Sequence, residues 1–284
     1  RIPPNSRYEL ALTRILKLCC TQFLKLLGGS PELTPISRRL HQIVWATKRR
    51  DQVKELGVRS SQGHERIWSS RSCHYYRLGG APKATVIGVG GGMGRMGIPT
   101  PTILRFLALL SCDFLLLSKK SGQTYAAGVP RIGNSLEEVS ETIRKIATEA
   151  GSKNLVLFTS SKGTTMGIAL ASILGIRRGL LTSPTFFKPL VELAGNSLVD
   201  SKLVPTEQFV SNSLEGASFV IAYSSDLEND SNAAQEIHAL LQGSQLQPIP
   251  NSPHSVTYPL AKNLNLLEVL SRSFGITAPS RMNT

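Results

Sequence analysis

The segment from Leu155 to Leu174, LVLFTSSKGTTMGIALASIL, constrains the fold of this chain more than any other stretch. It opens with the apolar run Leu155 to Phe158, whose length is typical of a strand buried on both faces. A short polar turn follows, from Thr159 to Gly163, and the chain continues with glycine and alanine at helical spacing. The order of strand, tight turn and small-residue helix predicts a helix packed closely on its own strand.

This turn contains a serine in the position of an activated nucleophile. In a nucleophile elbow, a strained strand-to-helix turn lifts one serine hydroxyl above the sheet, at the positive end of the following helix. Ser161 fits because Gly163 lies two residues after it, but Thr159 stands where the motif has its first glycine. A β-branched threonine crowds the space that this glycine leaves open, so the motif is degenerate. A serine that caps a helix from Thr164 is the simpler structural interpretation.

Strands and helices alternate from Ala84 to the end of the chain. Strands are predicted at 84–90, 114–117, 155–158, 179–183 and 218–223, and helices at 102–110, 135–150, 163–174, 187–194, 231–242 and 260–274. Ser135 and Glu138 form the Ser-x-x-Glu pattern that starts a helix. The alternation predicts an α/β fold with a doubly wound, mostly parallel sheet, whose site lies at the carboxyl ends of the strands.

The first third of the chain has a different charge from the rest. Residues 1–83 contain 16 Lys and Arg against 5 Asp and Glu, a balance of +11, so the other 201 residues carry only +2 of the net +13. An anionic partner would fit this balance, whether nucleic acid, a membrane surface or an acidic protein. A solvated basic face is the simpler interpretation, because no nucleic-acid-binding motif is present.

The patterns divide the chain into three parts. We expect a basic N-terminal extension over 1–83, an α/β domain over 84–277 and a short tail over 278–284. Within the extension, 8–27 and 36–56 have the periodicity of amphipathic helices, and 65–77 reads as two short strands.

The cysteines favour a reducing compartment, cytoplasmic or stromal. They lack any C-x-x-C spacing, so the sequence predicts neither a disulfide framework nor a metal site, and no cofactor is expected. The four are Cys19, Cys20, Cys73 and Cys112. No uncharged apolar run reaches 18 residues, so no membrane span is expected. The oligomeric state is not indicated.

A serine nucleophile needs a base and an acid, and these follow it in the order acid, then histidine, when the serine sits on an elbow. Two histidines come after Ser161. His238 lies inside a predicted helix and is most simply a surface residue. His254 lies in a loop, 250–256, just before the last helix, and is therefore the candidate base.

The acid is expected on the loop after the strand that ends at Tyr223, where two aspartates compete. Asp226 is nearer the strand end, where the backbone position is best fixed. Asp230 can be explained by a structural role, because an aspartate near Ser231 can cap the next helix. The sequence therefore favours Asp226 and leaves Asp230 as the alternative acid.

The oxyanion hole has three candidate contributors. One backbone N–H would come from Lys162, the residue after the nucleophile, and others from the glycine loop at Gly91 and Gly92.

These motifs together resemble the α/β-hydrolase superfamily over residues 84–275. The resemblance rests on four segments: Val86–Gly92, Thr159–Gly163, Tyr223–Asp226 and Ser252–Val256. It is closest to bacterial hydrolase-like domains with Gly-x-Ser-x-Gly elbows, from which Thr159 and Thr164 depart. The resemblance implies a serine hydrolase or acyltransferase that acts on a small-molecule ester or acyl substrate through a covalent Ser161 intermediate.

Two alternatives remain at this point. The chain could be a catalytically inactive hydrolase fold that serves protein interaction, since fold alone does not decide function. It could also bind a nucleotide, because Gly92 to Gly97 matches G-x-G-x-x-G. That match fits poorly: it starts beyond the strand, Pro99 follows it, and no acid ends the next strand.

Overall fold

The structure is a computed structural model of the 284-residue chain. It describes residues 63–69, 72–78, 80–91, 96–118, 128–130, 132–152, 154–186, 206–263 and 265–278. The helices predicted at 8–27, 36–56 and 187–194 lie outside the described residues, as does most of the tail.

Eight strands in the described residues form a single sheet. In chain order they are β1 (His64–Ser69), β2 (Cys73–Leu78), β3 (Ala84–Val89), β4 (Cys112–Leu117), β5 (Leu155–Ser160), β6 (Arg178–Thr182), β7 (Ser218–Ser224) and β8 (Gln245–Ile249). Their order across the sheet is β1-β2-β4-β3-β5-β6-β7-β8. Strand β2 runs antiparallel to both neighbours, and all other pairs are parallel. The predicted doubly wound, mostly parallel sheet is confirmed.

Seven helices in the described part of the chain connect or flank these strands. They are α1 (Thr100–Leu109), α2 (Leu136–Glu149), α3 (Gly163–Leu174), α4 (Glu207–Ser213), α5 (Glu228–Leu240), α6 (Thr257–Lys262) and α7 (Asn265–Phe274). Helix α2 begins as predicted, because the Ser135 hydroxyl accepts a hydrogen bond from the Glu138 N–H at 3.2 Å. The Glu138 carboxylate in turn accepts the Asn134 N–H at 2.7 Å.

The central strands are mostly apolar because helices cover both faces of the sheet. All six residues of β3 and of β4 are buried. Successive side chains point to opposite faces, so Ile87 and Val89 join one core while Val86 joins the other. Helices α2, α3 and α5 pack on the first face, and α1, α6 and α7 pack on the second.

The sheet begins earlier in the chain than the expected domain boundary at Ala84. The two short strands predicted over 65–77 are present as β1 and β2, but they are not a separate extension. Cys73 to Tyr76 pair with Phe114 to Leu117 of β4, so β2 continues the sheet. The composition does not reveal that β1 and β2 belong to this sheet, because the basic character of residues 1–83 continues through both strands.

Two elements were not predicted, and one prediction was wrong. Strand β8 has the sequence QLQPI and is partly exposed at the sheet edge, so it lacks an apolar signal. Helix α4 is short and buries only Val210 fully. The single closing helix predicted over 260–274 is two helices, α6 and α7, which join around Asn263. No helix in the described ranges is long and apolar enough to cross a membrane.

The buried thiols of β2 and β4 provide a test of this fold. Burial raises the pKa of both, that of Cys112 to about 12, so that the reactive thiolate is scarce. We expect Cys73 and Cys112 to resist N-ethylmaleimide in the native protein and to react after unfolding in guanidinium. Mass spectrometry of the labelled peptides measures this at each cysteine, and rapid native labelling of either would contradict the packing.

Candidate active site

Ser161 lies at the tight turn between β5 and α3, at the carboxyl edge of the sheet. Its φ of +51° is in the left-handed region that non-glycine residues rarely adopt. Two backbone hydrogen bonds of 2.9 Å fix this conformation: the Ser161 N–H donates to Thr182 O, and its carbonyl accepts from the Thr164 N–H. The strained turn expected of a nucleophile elbow is therefore present at Ser161.

The turn is possible because glycines let three backbone segments approach each other. A Cβ on Gly163 would overlap the carbonyl oxygen of Val89, and one on Gly91 would lie 2.9 Å from the carbonyl oxygen of Ser160. The same Cβ on Gly91 would be 3.1 Å from Cβ of Ser161. The loop after β3 thus lies directly beside the serine.

Thr159, the residue that breaks the elbow motif, fits because of a glycine in the helix. A Cβ on Gly167, one turn into α3, would overlap the methyl carbon Cγ2 of Thr159. In the usual motif, a glycine on the strand leaves room for the helix. Here the glycine is on the helix, at Gly167, and it leaves room for the Thr159 side chain on the strand. The Thr159 hydroxyl is buried and lies 3.3 Å from the Thr164 hydroxyl, so its polar atom also has a partner.

His254 meets Ser161, as the sequence analysis expected. Its Nε2 lies 2.9 Å from Ser161 Oγ although the two residues are 93 positions apart. The imidazole is 46% exposed, so this end of the site is open to solvent. The other histidine, His238, has a different partner: its Nδ1 lies 2.8 Å from Ser244 Oγ.

Asp230 contacts the far side of the imidazole, which corrects the preference for Asp226. The His254 Nδ1 lies 2.8 Å from Oδ1 and 3.0 Å from Oδ2 of Asp230. The Asp230 side chain is only 8% exposed. The expected capping role is absent because α5 begins three residues earlier than predicted, at Glu228, and its N-cap residue is Leu227. Asp230 therefore lies in the first turn of the helix and is free to reach across to the histidine loop.

Asp226 is exposed and accepts other hydrogen bonds. Its Oδ2 accepts the backbone N–H of Asn251 at 2.6 Å, and its Oδ1 accepts the hydroxyl of Ser225 at 3.3 Å. The prediction chose the wrong aspartate because distance from the strand end does not decide which carboxylate faces the imidazole. The helical turn that carries Asp230 decides it.

Of the three oxyanion candidates, two lie within the described residues. Lys162 directly precedes α3, and the first N–H groups of a helix lack partners within it. Gly91 packs beside Ser161, as described above. Gly92, with the rest of 92–95, lies outside the described residues.

Hydroxyl groups from the neighbouring strand ends fix the loop that carries His254, and sequence reasoning missed them. The Ser224 hydroxyl donates to Ser252 O at 2.6 Å, on one side of the histidine. On the other side, the Val256 N–H donates to Ser183 Oγ at 3.1 Å. The available signal was position, because Ser183 and Ser224 each stand at the carboxyl end of a strand beside the site.

The three side chains form a continuous series of hydrogen bonds. A carboxylate only accepts hydrogen bonds, so His254 Nδ1 carries its hydrogen and Nε2 is left to accept the Ser161 hydroxyl hydrogen. This arrangement allows the imidazole to remove the serine proton and later return it. Within the described ranges, no group of three or more His, Cys, Asp or Glu could hold a metal ion.

Solved structures with a similar fold are known, although no match was found at the level of sequence. No family model matches the chain, and no curated protein matches it. An esterase from the bacterial hormone-sensitive lipase family superposes with a TM-score of 0.57 at 14% identity, covering 92% of this chain and 98% of that one. A hormone-sensitive lipase from a metagenome library gives 0.52 at 13%, covering 94% and 98%. Carboxylesterase CesB from Bacillus subtilis gives 0.50 at 13%, covering 81% and 96%.

Similarity at this level of identity shows a shared fold. The fold is that of the α/β hydrolases, as the sequence motifs had suggested.

The contact between Thr159 and Gly167 predicts a coupled pair of substitutions. Gly167→Ala should lower the free energy of unfolding by about 1–3 kcal/mol through overpacking, although alanine favours helix by roughly 1 kcal/mol. In a Thr159→Ser background, which removes only the methyl group and keeps the hydroxyl, the cost should disappear. Urea denaturation of the four proteins in this cycle measures the coupling, and equal costs in both backgrounds would show that the two residues do not compete for space.

Proposed function

We propose that this chain, which has the α/β-hydrolase fold, is a serine hydrolase that cleaves small-molecule esters through a covalent acyl intermediate on Ser161. The observation that carries the proposal is the hydrogen-bonded series Ser161, His254 and Asp230, with distances of 2.9 and 2.8 Å. The esterases and lipases that share the fold support the choice of ester substrates. An acceptor other than water would make the same intermediate an acyltransferase intermediate.

In the proposed first step, Ser161 Oγ attacks the ester carbonyl carbon while its proton passes to His254 Nε2. The tetrahedral intermediate then collapses, the bond to the alcohol oxygen breaks, and the leaving alcohol takes the proton from Nε2. Water next attacks the acyl-enzyme with His254 as base. The products are the carboxylic acid and the original serine.

The surroundings of Ser161 suit the negative charge that develops on the carbonyl oxygen. The N–H of Lys162 is at the positive end of α3, and backbone from the loop after β3 lies beside the serine at Gly91. We propose that Lys162 N–H and an N–H of the Gly91–Gly92 loop bind this oxygen.

The same geometry weighs against an inactive interaction protein. Burying a carboxylate is costly unless it is paired, and here the partner of Asp230 is a half-exposed imidazole that in turn meets a hydroxyl in a strained turn. A surface for protein interaction does not require a buried carboxylate, an imidazole and a hydroxyl in a strained turn to lie in contact. A serine nucleophile on an elbow, with a histidine base and an acid, accounts for all three.

Fluorophosphonate labelling tests the nucleophile without knowledge of the substrate. We expect the wild-type protein to be labelled at Ser161 and Ser161→Ala to lose labelling and turnover of p-nitrophenyl butyrate. Ser160→Ala is the matched control: Ser160 is adjacent but only 4% exposed, so its loss should leave labelling in place. Labelling that persists in Ser161→Ala, or a wild-type protein that never labels, would overturn the proposal.

The choice of acid predicts a separate kinetic result. Asp230→Asn should lower kcat by roughly 10⁴-fold because an amide no longer holds the imidazole in the required tautomer. The fold should persist, since asparagine has nearly the same size, and circular dichroism provides that control. A kcat within about tenfold of wild type would remove Asp230 from the acid role.

A further inference from the structure

The loop between β8 and α6 has to hold His254 in place without regular secondary structure of its own. Residues 250–256 contain no helix or strand, and Asn251 adopts a φ of +52°. Asp230 contacts the imidazole ring itself, but it does not contact the backbone of this loop in any hydrogen bond. Other groups must therefore fix the position of the loop backbone.

Among the residues that the structure describes, Asp226 is the charged side chain that hydrogen-bonds to this backbone. Its Oδ2 accepts the Asn251 N–H at 2.6 Å, three residues before His254. A hydrogen bond to an ionised acceptor is about twice as strong as a neutral one, and this one ties the end of β7 to the start of the histidine loop. The Ser224 hydroxyl donates to Ser252 O, so the two contacts come from residues two positions apart, at the end of β7 and just after it.

We infer that Asp226 is a positioning residue for His254, which rests on the proposed function. The two aspartates, four residues apart, have different roles: Asp230 orients the imidazole, and Asp226 fixes the backbone that carries it. Release of Asn251 would let the loop and His254 Nε2 move relative to Ser161 Oγ. A displacement of about 1 Å at such a position can cost up to about 100-fold in rate.

The geometry also separates this role from that of an acid. Both carboxylate oxygens of Asp226 already accept hydrogen bonds, from the Asn251 N–H and the Ser225 hydroxyl, whereas the imidazole of His254 bonds to Ser161 and Asp230. The contact to Asn251 needs an acceptor oxygen, whereas an acid needs the negative charge. Asparagine keeps the acceptor oxygen and loses the charge, so the two roles predict different results for one substitution.

The experiment compares Asp226→Ala, Asp226→Asn and Glu228→Ala in the full chain. Asp226→Ala should lower kcat for p-nitrophenyl butyrate by about 10- to 100-fold with little change in KM. Asp226→Asn should recover most of that loss. Glu228 is an exposed carboxylate on the same segment, so Glu228→Ala removes an equal charge and should leave kcat unchanged.

Hydrogen exchange supplies a readout that does not depend on activity. The peptide that covers 245–256 should exchange faster in Asp226→Ala, return toward wild type in Asp226→Asn, and stay unchanged in Glu228→Ala. If the wild type lacks serine reactivity while this pattern holds, the proposed function fails and the anchoring of the loop stands.

Three results would overturn the inference itself. They are an unchanged kcat in Asp226→Ala, exchange in 245–256 that does not respond to it, and a loss in Asp226→Asn as deep as in Asp226→Ala. The last would point to the charge of Asp226 and not to its acceptor oxygen. A lower melting temperature with normal kcat would assign Asp226 a stabilising role only.

Discussion

The close approach of β5 and α3 is the constraint on which the rest of the site depends. The chain reverses from strand to helix within Ser161 and Lys162, which forces Ser161 into a left-handed conformation. Nothing larger than hydrogen fits at Gly163, because the backbone of β3 passes directly beside it. The fold must hold this turn from several sides, and it does so through Thr182, through the loop at Gly91, and through helix α3, which is buried from Gly163 to Ser172.

The positions of Ser161, Asp230 and His254 follow from the parallel order of β5, β6, β7 and β8. Their carboxyl ends lie along one edge, so each segment that follows a strand there can contribute one group to the same site. Ser161 follows β5, Ser183 follows β6, Asp230 follows β7 and His254 follows β8. The hydroxyls of Ser183 and Ser224 then join these loops to one another, so the site is one hydrogen-bonded network and not three separate side chains.

The sequence predicted those parts of the fold that leave a periodic signal. Strands β3 to β7 contain apolar runs because both faces of the sheet are covered, and the Ser135 cap has a local sequence pattern. Strand β8, with the sequence QLQPI, has no such signal, because it lies at the edge of the sheet and is partly exposed to solvent. Ser161 and His254 were predictable from order along the chain. The choice between Asp226 and Asp230 was not, because it depends on where a helix begins, and three residues of error in that start turn the carboxylate to a different side.

Thr159 and Gly167 show that the steric requirement of this turn belongs to a pair of positions. The contact limits the total volume of two facing side chains, one on the strand and one on the helix a turn later. A substitution from glycine to threonine on the strand is compatible with the fold once the helix carries glycine opposite. The same turn could therefore be built with the larger residue at either of the two positions, and a sequence pattern that tests the strand position alone would miss a chain such as this one.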